Sequence, residues 1–169
     1  IARCSYMYLV GLRVTADGGD VLHLEDCDHI LIRQTQVVGI GDIASANGPR
    51  EALKINQSRD VYIEDSDISG AWDNPIDLVS VQYGHAQGNR VHHGGDWCMY
   101  AKGGSAYLRV EANEFYDCGT GGFTAGQGTG FEFMQTPWLH YEAYDIQFIN
   151  NVIHDTAGAG MGVTGGYTI

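Results

Sequence analysis

The feature that most constrains the fold is an internal repeat of about 23 residues. A phrase of the form x-apolar-x-apolar-x-x-polar-x-apolar recurs as HILIRQTQV, DVYIEDSDI, YLRVEANEF and DIQFINNVI, at residues 29–37, 60–68, 107–115 and 145–153. The last apolar positions of these phrases and of two weaker copies are residues 14, 37, 68, 91, 115 and 153. Successive differences are 23, 31, 23, 24 and 38. A period near 23 with insertions near residues 41–50 and 129–142 accounts for all five.

A second apolar pair follows each phrase after a glycine-rich bend. The pairs are Leu22/Leu24, Leu53/Ile55, Ile76/Leu78, Met99/Ala101, Phe123/Ala125 and Met161/Val163. Apolar residues at every second position indicate a strand with one buried face. Repeating units of this length stack into solenoids. Several short strands per unit, without helical periodicity, predict an all-β parallel β-helix that forms a single domain over residues 1–169. A leucine-rich repeat is the main competitor, but its L-x-x-L-x-L-x-x-N pattern is absent.

A polar column supports this stacking. Ser66, Asn89, Asn113 and Asn151 each lie two residues before the last apolar position of a phrase. Stacked amide side chains can hydrogen-bond from one unit to the next. We therefore expect these residues to hold a turn and not to be catalytic.

The four cysteines leave the redox state open. Cys4 and Cys27 are 23 residues apart and share a column in neighbouring units. Their spacing across a parallel pair permits a disulfide, and stacked, buried free thiols are an equal alternative. Cys98 and Cys118 fall on different columns, and no cysteine spacing is typical of a metal site.

Composition narrows the partners. The chain has 24 Gly among 169 residues and a net charge of −12. Such an acidic balance argues against nucleic acid and against an anionic membrane surface. An acidic ligand would need local Lys or Arg side chains or a bridging cation. The repeat begins and stops without a polar cap at either end, so we expect further coils of a longer parent chain on both sides.

The sequence resembles a known superfamily. Residues 100–113 (YAKGGSAYLRVEAN), followed by residues 126–129 (GQGT), are similar to bacterial right-handed β-helix repeat proteins of unassigned activity. The whole coil pattern resembles the pectate-lyase-like superfamily. The same stretch is similar to alginate-lyase-type polysaccharide lyases, in which a lysine in a K-S/G-G phrase is followed one coil later by an arginine. Lys102 matches the lysine, whereas residues 126–128 read Gly-Gln-Gly where the arginine is expected.

The resemblance implies a right-handed β-helix, an extracellular or periplasmic location and a polysaccharide ligand. It does not select one activity, because such folds host lyases, hydrolases, esterases and inert adhesins.

Two rows of residues on the second strand are expected to face outward along one flank of the solenoid. One row is His23, Lys54, Asp77, Tyr100, Thr124 and Gly162, and the other is Glu25, Asn56, Val79, Lys102, Gly126 and Thr164. Neighbours in a row lie about 4.8 Å apart. The rows therefore predict a patch that contains Lys54, Asp77, Tyr100 and Lys102.

This patch suggests β-elimination on a uronic-acid glycan. The reaction needs a group that neutralises the carboxylate, a base and a proton donor. Lys102 or Lys54 could be the base if crowding by the other cation lowers its pKa, and Tyr100 could be the acid. Asp77 with Glu25 or Asp73 could hold a Ca²⁺ ion that bridges to the substrate. Ordinary solvated side chains on a polar strand are the alternative.

Further residues are candidates for substrate contact. The predicted set is His23, Asn56, Trp97, Trp138, His140 and Tyr141. The last three lie in the aromatic insertion TGFEFMQTPWLHYE at residues 129–142. Long loops of this kind wall a binding groove or cover a core.

Two other functions remain open at this point. Asp73 and Asp96 occupy equivalent positions one coil apart, which would suit a retaining glycoside hydrolase. Thr120 takes the next place in that column. A carbohydrate-binding or structural surface solenoid without catalysis is the third possibility, and the strongly acidic balance favours it.

Overall fold

The fold is given by a computed structural model that describes residues 1–134 and 140–169. The described chain contains 19 strands and two 3₁₀ turns, Ile43–Ser45 and Phe131–Phe133. Every strand-to-strand pairing is parallel, and each strand pairs with the strands three places before and after it in the chain. This is the parallel β-helix that the repeat predicts: each coil contributes one strand to each of three sheets.

The strands are numbered in chain order and fall into three sheets. Sheet 1 is β1 (Ser5–Val10), β4 (Asp28–Arg33), β7 (Arg59–Glu64), β10 (Gln82–Gln87), β13 (Ser105–Glu111), β16 (Ala143–Ile149) and β19 (Gly166–Tyr167). Sheet 2 is β2 (Arg13–Ala16), β5 (Gln36–Gly39), β8 (Asp67–Ala71), β11 (Arg90–Gly94), β14 (Glu114–Cys118) and β17 (Val152–His154). Sheet 3 is β3 (Asp20–Glu25), β6 (Glu51–Asn56), β9 (Ile76–Val79), β12 (Trp97–Lys102), β15 (Gly121–Ala125) and β18 (Ala159–Val163).

The repeated phrase spans two strands and the corner between them. In each coil a residue with positive φ separates sheet 1 from sheet 2: Gly11, Gln34, Asp65, Gly88, Ala112 and Asn150. A single left-handed residue turns the chain sharply, which ends the alternation of one strand and starts the next. The polar slot of the phrase therefore lies just after this corner, and the last apolar residue already belongs to sheet 2.

The core lies between the three sheets. The inward pairs of sheet 3 meet the inward residues of sheets 1 and 2, and Leu24, Ile55, Ile76, Met99 and Phe123 are fully buried. Burial of such side chains is the dominant favourable contribution to folding. The apolar pairs read from the sequence therefore face the core, except Met161 and Val163 of β18, the last strand of sheet 3, which are exposed.

The predicted polar column is confirmed at the start of sheet 2. The Nδ2 group of Asn89 donates to Oδ1 of Asn113 at 2.9 Å, and that of Asn113 donates to Oδ1 of Asn151 at 3.0 Å. The backbone N–H of Ser66 donates to Oδ1 of Asn89 at 3.0 Å. These bonds run from coil to coil through the buried corner, so the column is structural.

The disulfide of the described chain joins cysteines from different columns of the repeat. Cys98 and Cys118 form a disulfide with a Cα–Cα distance of 5.6 Å. In the described chain Cys4 and Cys27 are free thiols, so the thiol alternative for that column is the correct one. This disulfide does not follow from the columns, because Cys118 ends β14 of sheet 2 while Cys98 lies near the start of β12 of sheet 3, and the corner between these sheets brings them together.

Two long connections leave the regular coils on either side of sheet 3. Residues 40–50 join β5 to β6, and residues 126–142 join β15 to β16. Among the described residues, no helix is sufficiently long and apolar to cross a membrane.

Candidate functional site on sheet 3

The strand register places the predicted rows side by side on sheet 3. His23 pairs with Lys54, Lys54 with Asp77, and Asp77 with Tyr100. In the second row, Asn56 pairs with Val79 and Val79 with Lys102. The side chains expected in one patch therefore lie on consecutive coils.

The patch is less solvated than the alternation suggests. Asp77 is 0% exposed and Tyr100 is 2% exposed, so the expectation that the whole row points into solvent is wrong. Both side chains project from the outer face of sheet 3, but neighbouring side chains cover them. An ionisable group at such a position needs partners, because burial without compensation is costly.

The Asp77 carboxylate lies between two lysines. Nζ of Lys54 donates to Oδ2 of Asp77 at 2.8 Å, and Nζ of Lys102 lies 3.5 Å from Oδ1. Among the described residues, Oδ1 has no hydrogen-bond donor. The side chains of the two lysines are each about one fifth exposed, whereas the carboxylate between them is buried.

A second buried carboxylate, Glu51, adjoins this pair. Its Oε1 lies 3.5 Å from Nζ of Lys54, and its Oε2 accepts the backbone N–H of Asn74 at 2.9 Å. Burial, together with the negative charge of Asp77, raises the pKa of Glu51 from 4.5 to about 7. Glu51 is therefore a carboxyl group that changes protonation near neutral pH.

The electrostatics of Lys54 contradict one expectation. Burial disfavours its ammonium form, but the charges of Asp77 and Glu51 outweigh this effect and raise the pKa of Lys54. The condition under which Lys54 would act as a base, a pKa lowered by the other lysine, is not met. Lys54 is a permanent cation at this site.

Tyr100 is held in its protonated form. Burial, then the hydrogen bond and negative charge of Asp96, raise the pKa of Tyr100 well above its usual value. The phenol donates to Oδ2 of Asp96. Nζ of Lys102 lies 4.5 Å from the centre of the Tyr100 ring, a cation–π contact. Tyr100 can donate a proton, but it is not a base.

The backbones of Asp73 and Asp96, the two residues proposed for hydrolysis, are stacked on neighbouring coils, as predicted. The backbone N–H of Asp96 donates to the carbonyl of Asp73 at 2.8 Å, and that of Thr120 donates to the carbonyl of Asp96 at 2.9 Å. Nε of Arg50 donates to Oδ2 of Asp73 at 3.2 Å. Asp73 and Asp96 therefore lie at the corner between sheets 2 and 3, just before β9 and β12, and Asp96 contacts Tyr100.

The residues predicted for calcium do not fit a calcium site as they are placed. Hard cations need several carboxylate or carbonyl oxygens around one point. The oxygens of Asp77 face two ammonium groups, and within residues 1–134 and 140–169 Glu25, Asp73 and Asp77 do not form a group of potential ligands.

Three of the residues predicted to contact substrate lie on sheet 3. Nε2 of His23 lies 3.2 Å from Nδ2 of Asn56, beside Lys54. Nδ1 of His23 lies 3.0 Å from Oδ2 of Asp20. Trp97 begins β12, the strand of Tyr100 and Lys102, and is partly exposed. His23 and Asn56 thus lie beside Lys54, and Trp97 lies on the strand of Tyr100 and Lys102. All three adjoin the charged cluster of sheet 3, which consists of Arg50, Glu51, Lys54, Asp73, Asp77, Asp96, Tyr100 and Lys102.

The aromatic insertion does not supply the predicted contacts in a single place. Tyr141 packs against Tyr144 and Tyr167 of sheet 1, with ring centroids 5.3 and 5.8 Å apart, so it is not part of the sheet 3 cluster. His140 is exposed. Trp138 lies outside the described residues. Both ends of the insertion contact the turns that follow sheet 3 strands: the carbonyl of Phe133 accepts the hydroxyl of Ser80, after β9, and the carboxylate of Glu142 accepts the N–H of Gly103, after β12, at 2.8 Å.

Sequence reasoning missed Glu51, Asn74 and Arg50. The repeat itself carried a signal for the first two, because Glu51, Asn74 and Trp97 follow one another at 23-residue intervals. Arg50 lies in the insertion near residues 41–50, where no periodicity identifies a partner.

The comparisons with known proteins agree with this architecture. No curated protein matches the sequence at a significant level. A family model described as the right-handed β-helix region matches residues 1–169. The chain therefore belongs to the right-handed β-helix family.

Proposed function

We propose that the protein is a carbohydrate-active enzyme that cleaves an acidic, uronic-acid polysaccharide by β-elimination on the outer face of sheet 3. The observation that carries the proposal is the buried Asp77 carboxylate held between Lys54 and Lys102. One of its oxygens lacks a hydrogen-bond donor among the described residues. Buried, incompletely satisfied ionisable groups are typical of functional sites. This favours a site over an ordinary polar strand surface.

The three jobs of elimination can be assigned to residues of the cluster. Lys54, a permanent cation, neutralises the substrate carboxylate and so acidifies the adjacent C5–H bond. After its ammonium group has given a proton to water, the Lys102 amine takes the C5 proton, the C–H electron pair becomes the C4–C5 double bond, and the C4–O bond breaks. Tyr100 gives its proton to the leaving oxygen. Proton transfer from the Lys102 ammonium to the Tyr100 oxygen then restores both groups; Nζ of Lys102 lies 4.5 Å from the centre of the Tyr100 ring.

Two features support the remaining parts of the proposal. The Cys98–Cys118 disulfide is typical of an oxidising compartment and supports an extracellular or periplasmic location. The chain has only nine Lys and Arg residues, and three of them, Lys54, Lys102 and Arg50, lie on this flank of the solenoid. Binding of an acidic glycan requires such a local group of cations. His23, Asn56 and Trp97 are proposed to contact the glycan on either side.

Hydrolysis is the second candidate. The cluster holds the carboxyl groups of Glu51, Asp73, Asp77 and Asp96 against those three cations, so acidic side chains outnumber basic ones. Asp73 and Asp96 are one coil apart, about 5 Å, a separation that suits a retaining glycoside hydrolase.

The test is the ultraviolet absorbance of unsaturated product from a panel of uronic-acid polymers, with and without Ca²⁺. Product that disappears in Lys102→Ala but persists in Arg109→Ala, an exposed cation of sheet 1, is the expected result. Reducing ends without unsaturated product, lost in Asp96→Asn, would establish hydrolysis instead. Binding to a polymer without either product would make the protein a non-catalytic binding solenoid.

A further inference from the structure

Trp97 lies across two glycines on the outer face of sheet 3. A β-carbon built on Gly121 would lie 2.4 Å from Cζ3 of Trp97, and one built on Gly162 would lie 2.8 Å from its Cη2. Both distances are far below a van der Waals contact, so any larger residue at either position would displace the indole. The two glycines form a seat for the six-membered ring of Trp97.

The backbone of Trp97 is fixed from two directions. Its N–H donates to Oδ1 of the fully buried Asn74 at 3.2 Å, and the N–H of Asn74 donates to Glu51 at 2.9 Å. The next residue, Cys98, is bonded to Cys118. A rigid aromatic group loses little conformational freedom on binding, which is why preorganised rings make effective contact surfaces.

The seat continues the line of the charged cluster. Tyr100 pairs with Thr124, and Thr124 with Gly162, so the indole lies over the next two coils after Tyr100. Two coils correspond to about 10 Å along the solenoid axis. This distance is comparable to the length of a disaccharide. The order along the axis is Lys54, Asp77, Tyr100 and then the indole of Trp97.

We infer that Trp97, seated on Gly121 and Gly162, is a stacking subsite for the apolar face of a pyranose ring in an acidic oligosaccharide that runs along the solenoid axis. The inference rests on the proposed function, because the lysine pair receives the carboxylate of a neighbouring sugar unit. Trp97 is partly exposed and offers apolar area beside a group of charges. A pyranose has both an apolar C–H face and polar edges, which matches this combination.

The test uses the Trp72→Phe/Trp138→Phe variant, in which Trp97 is the single tryptophan, titrated with tetragalacturonate and with neutral cellotetraose. We expect tetragalacturonate to change the fluorescence of Trp97. Trp97→Ala should weaken its binding by about three- to tenfold, measured by calorimetry. Gly162→Val should weaken it similarly by displacing the indole. Trp97→Phe, which keeps an aromatic cover on the glycines, should lose less.

Three outcomes separate the two proposals. Binding of tetragalacturonate with unchanged Trp97 fluorescence and unchanged affinity in Trp97→Ala would overturn the subsite while leaving the proposed function intact. Equal responses to cellotetraose and tetragalacturonate would overturn the acidic character of the ligand. If neither oligosaccharide binds and no uronan is cleaved, both proposals fail.

Discussion

Lys54 and Asp77 lie 23 residues apart on adjacent coils and form a 2.8 Å ion pair in which the Asp77 side chain is 1% exposed and the Lys54 side chain 19%. Removing Lys54 takes the hydrogen-bond donor from the buried Asp77 carboxylate and leaves it the more distant Lys102, 3.5 Å from Oδ1. Lys54→Met is therefore expected to lower the free energy of unfolding by about 2 to 4 kcal/mol, measured by urea denaturation.

The matched control for this prediction is Arg109→Met. Arg109 also pairs with a carboxylate, Glu111, at 2.7 Å, but its side chain is 51% exposed. Exposed pairs contribute roughly 0 to 1 kcal/mol, so this variant should be nearly as stable as the parent. Equal losses in the two variants would contradict the view that burial makes the Lys54–Asp77 pair costly to break.

Glu51 gives the fold a dependence on pH. Its pKa is raised from 4.5 to about 7, by burial first and then by the charge of Asp77. The folded chain therefore holds this proton more tightly than the unfolded chain does. The resulting stability is present below about pH 4.5 and is lost as the pH rises through about 7.

The measurement is urea denaturation of the parent and of Glu51→Gln across this range. Relative to Glu51→Gln, the parent should lose about 2 to 3 kcal/mol of unfolding free energy between the two pH values. Glutamine keeps an oxygen that can accept the Asn74 N–H, but it does not titrate. Parallel stability profiles would show that Glu51 titrates at its ordinary value.

Asn113 is expected to be among the least replaceable polar residues of the solenoid. Its Oδ1 accepts the backbone N–H of Asn89 at 2.9 Å, and its Nδ2 donates to the carbonyl of Ala86 at 2.9 Å. Asn113→Ala leaves these buried groups without partners and should cost about 2 to 4 kcal/mol in denaturant unfolding. Gln147→Ala, at an exposed position of β16, is the control and should change little. A small loss in Asn113→Ala would mean that water replaces the amide.

The fold could be predicted because each coil repeats the same alternation in register. Pairings such as Lys54 with Asp77 follow from counting 23 residues, since parallel strands stack without offset. The burial of Asp77 could not be predicted in this way. The alternation of a strand indicates from which face of the sheet a side chain projects. Its burial depends in addition on the neighbouring side chains that cover it, which for Asp77 are Lys54 and Lys102.

The parts of the site that escaped prediction lie where the repeat is irregular. Strict alternation puts Glu51 on the inner face with Leu53 and Ile55, yet its carboxylate reaches Lys54 of the outer row. Glu51 is the first residue of β6, at a corner, where strand alternation no longer determines direction. Tyr141 belongs to an insertion without periodicity, and its packing against sheet 1 has no signature in the sequence.

The Cys98–Cys118 disulfide should stabilise the coil that carries Asp96, Trp97 and Tyr100. The bond closes a loop with a sequence separation of 20. Loops of this length correspond to about 3 kcal/mol through the reduced entropy of the unfolded chain. The double variant Cys98→Ala/Cys118→Ala should therefore unfold at lower guanidinium concentration than the parent, and reductant should destabilise the parent but not the variant. Cys4→Ser removes a free thiol and serves as the control, which should respond to reductant as the parent does. A parent insensitive to reductant under unfolding conditions would show that the two thiols are not bonded.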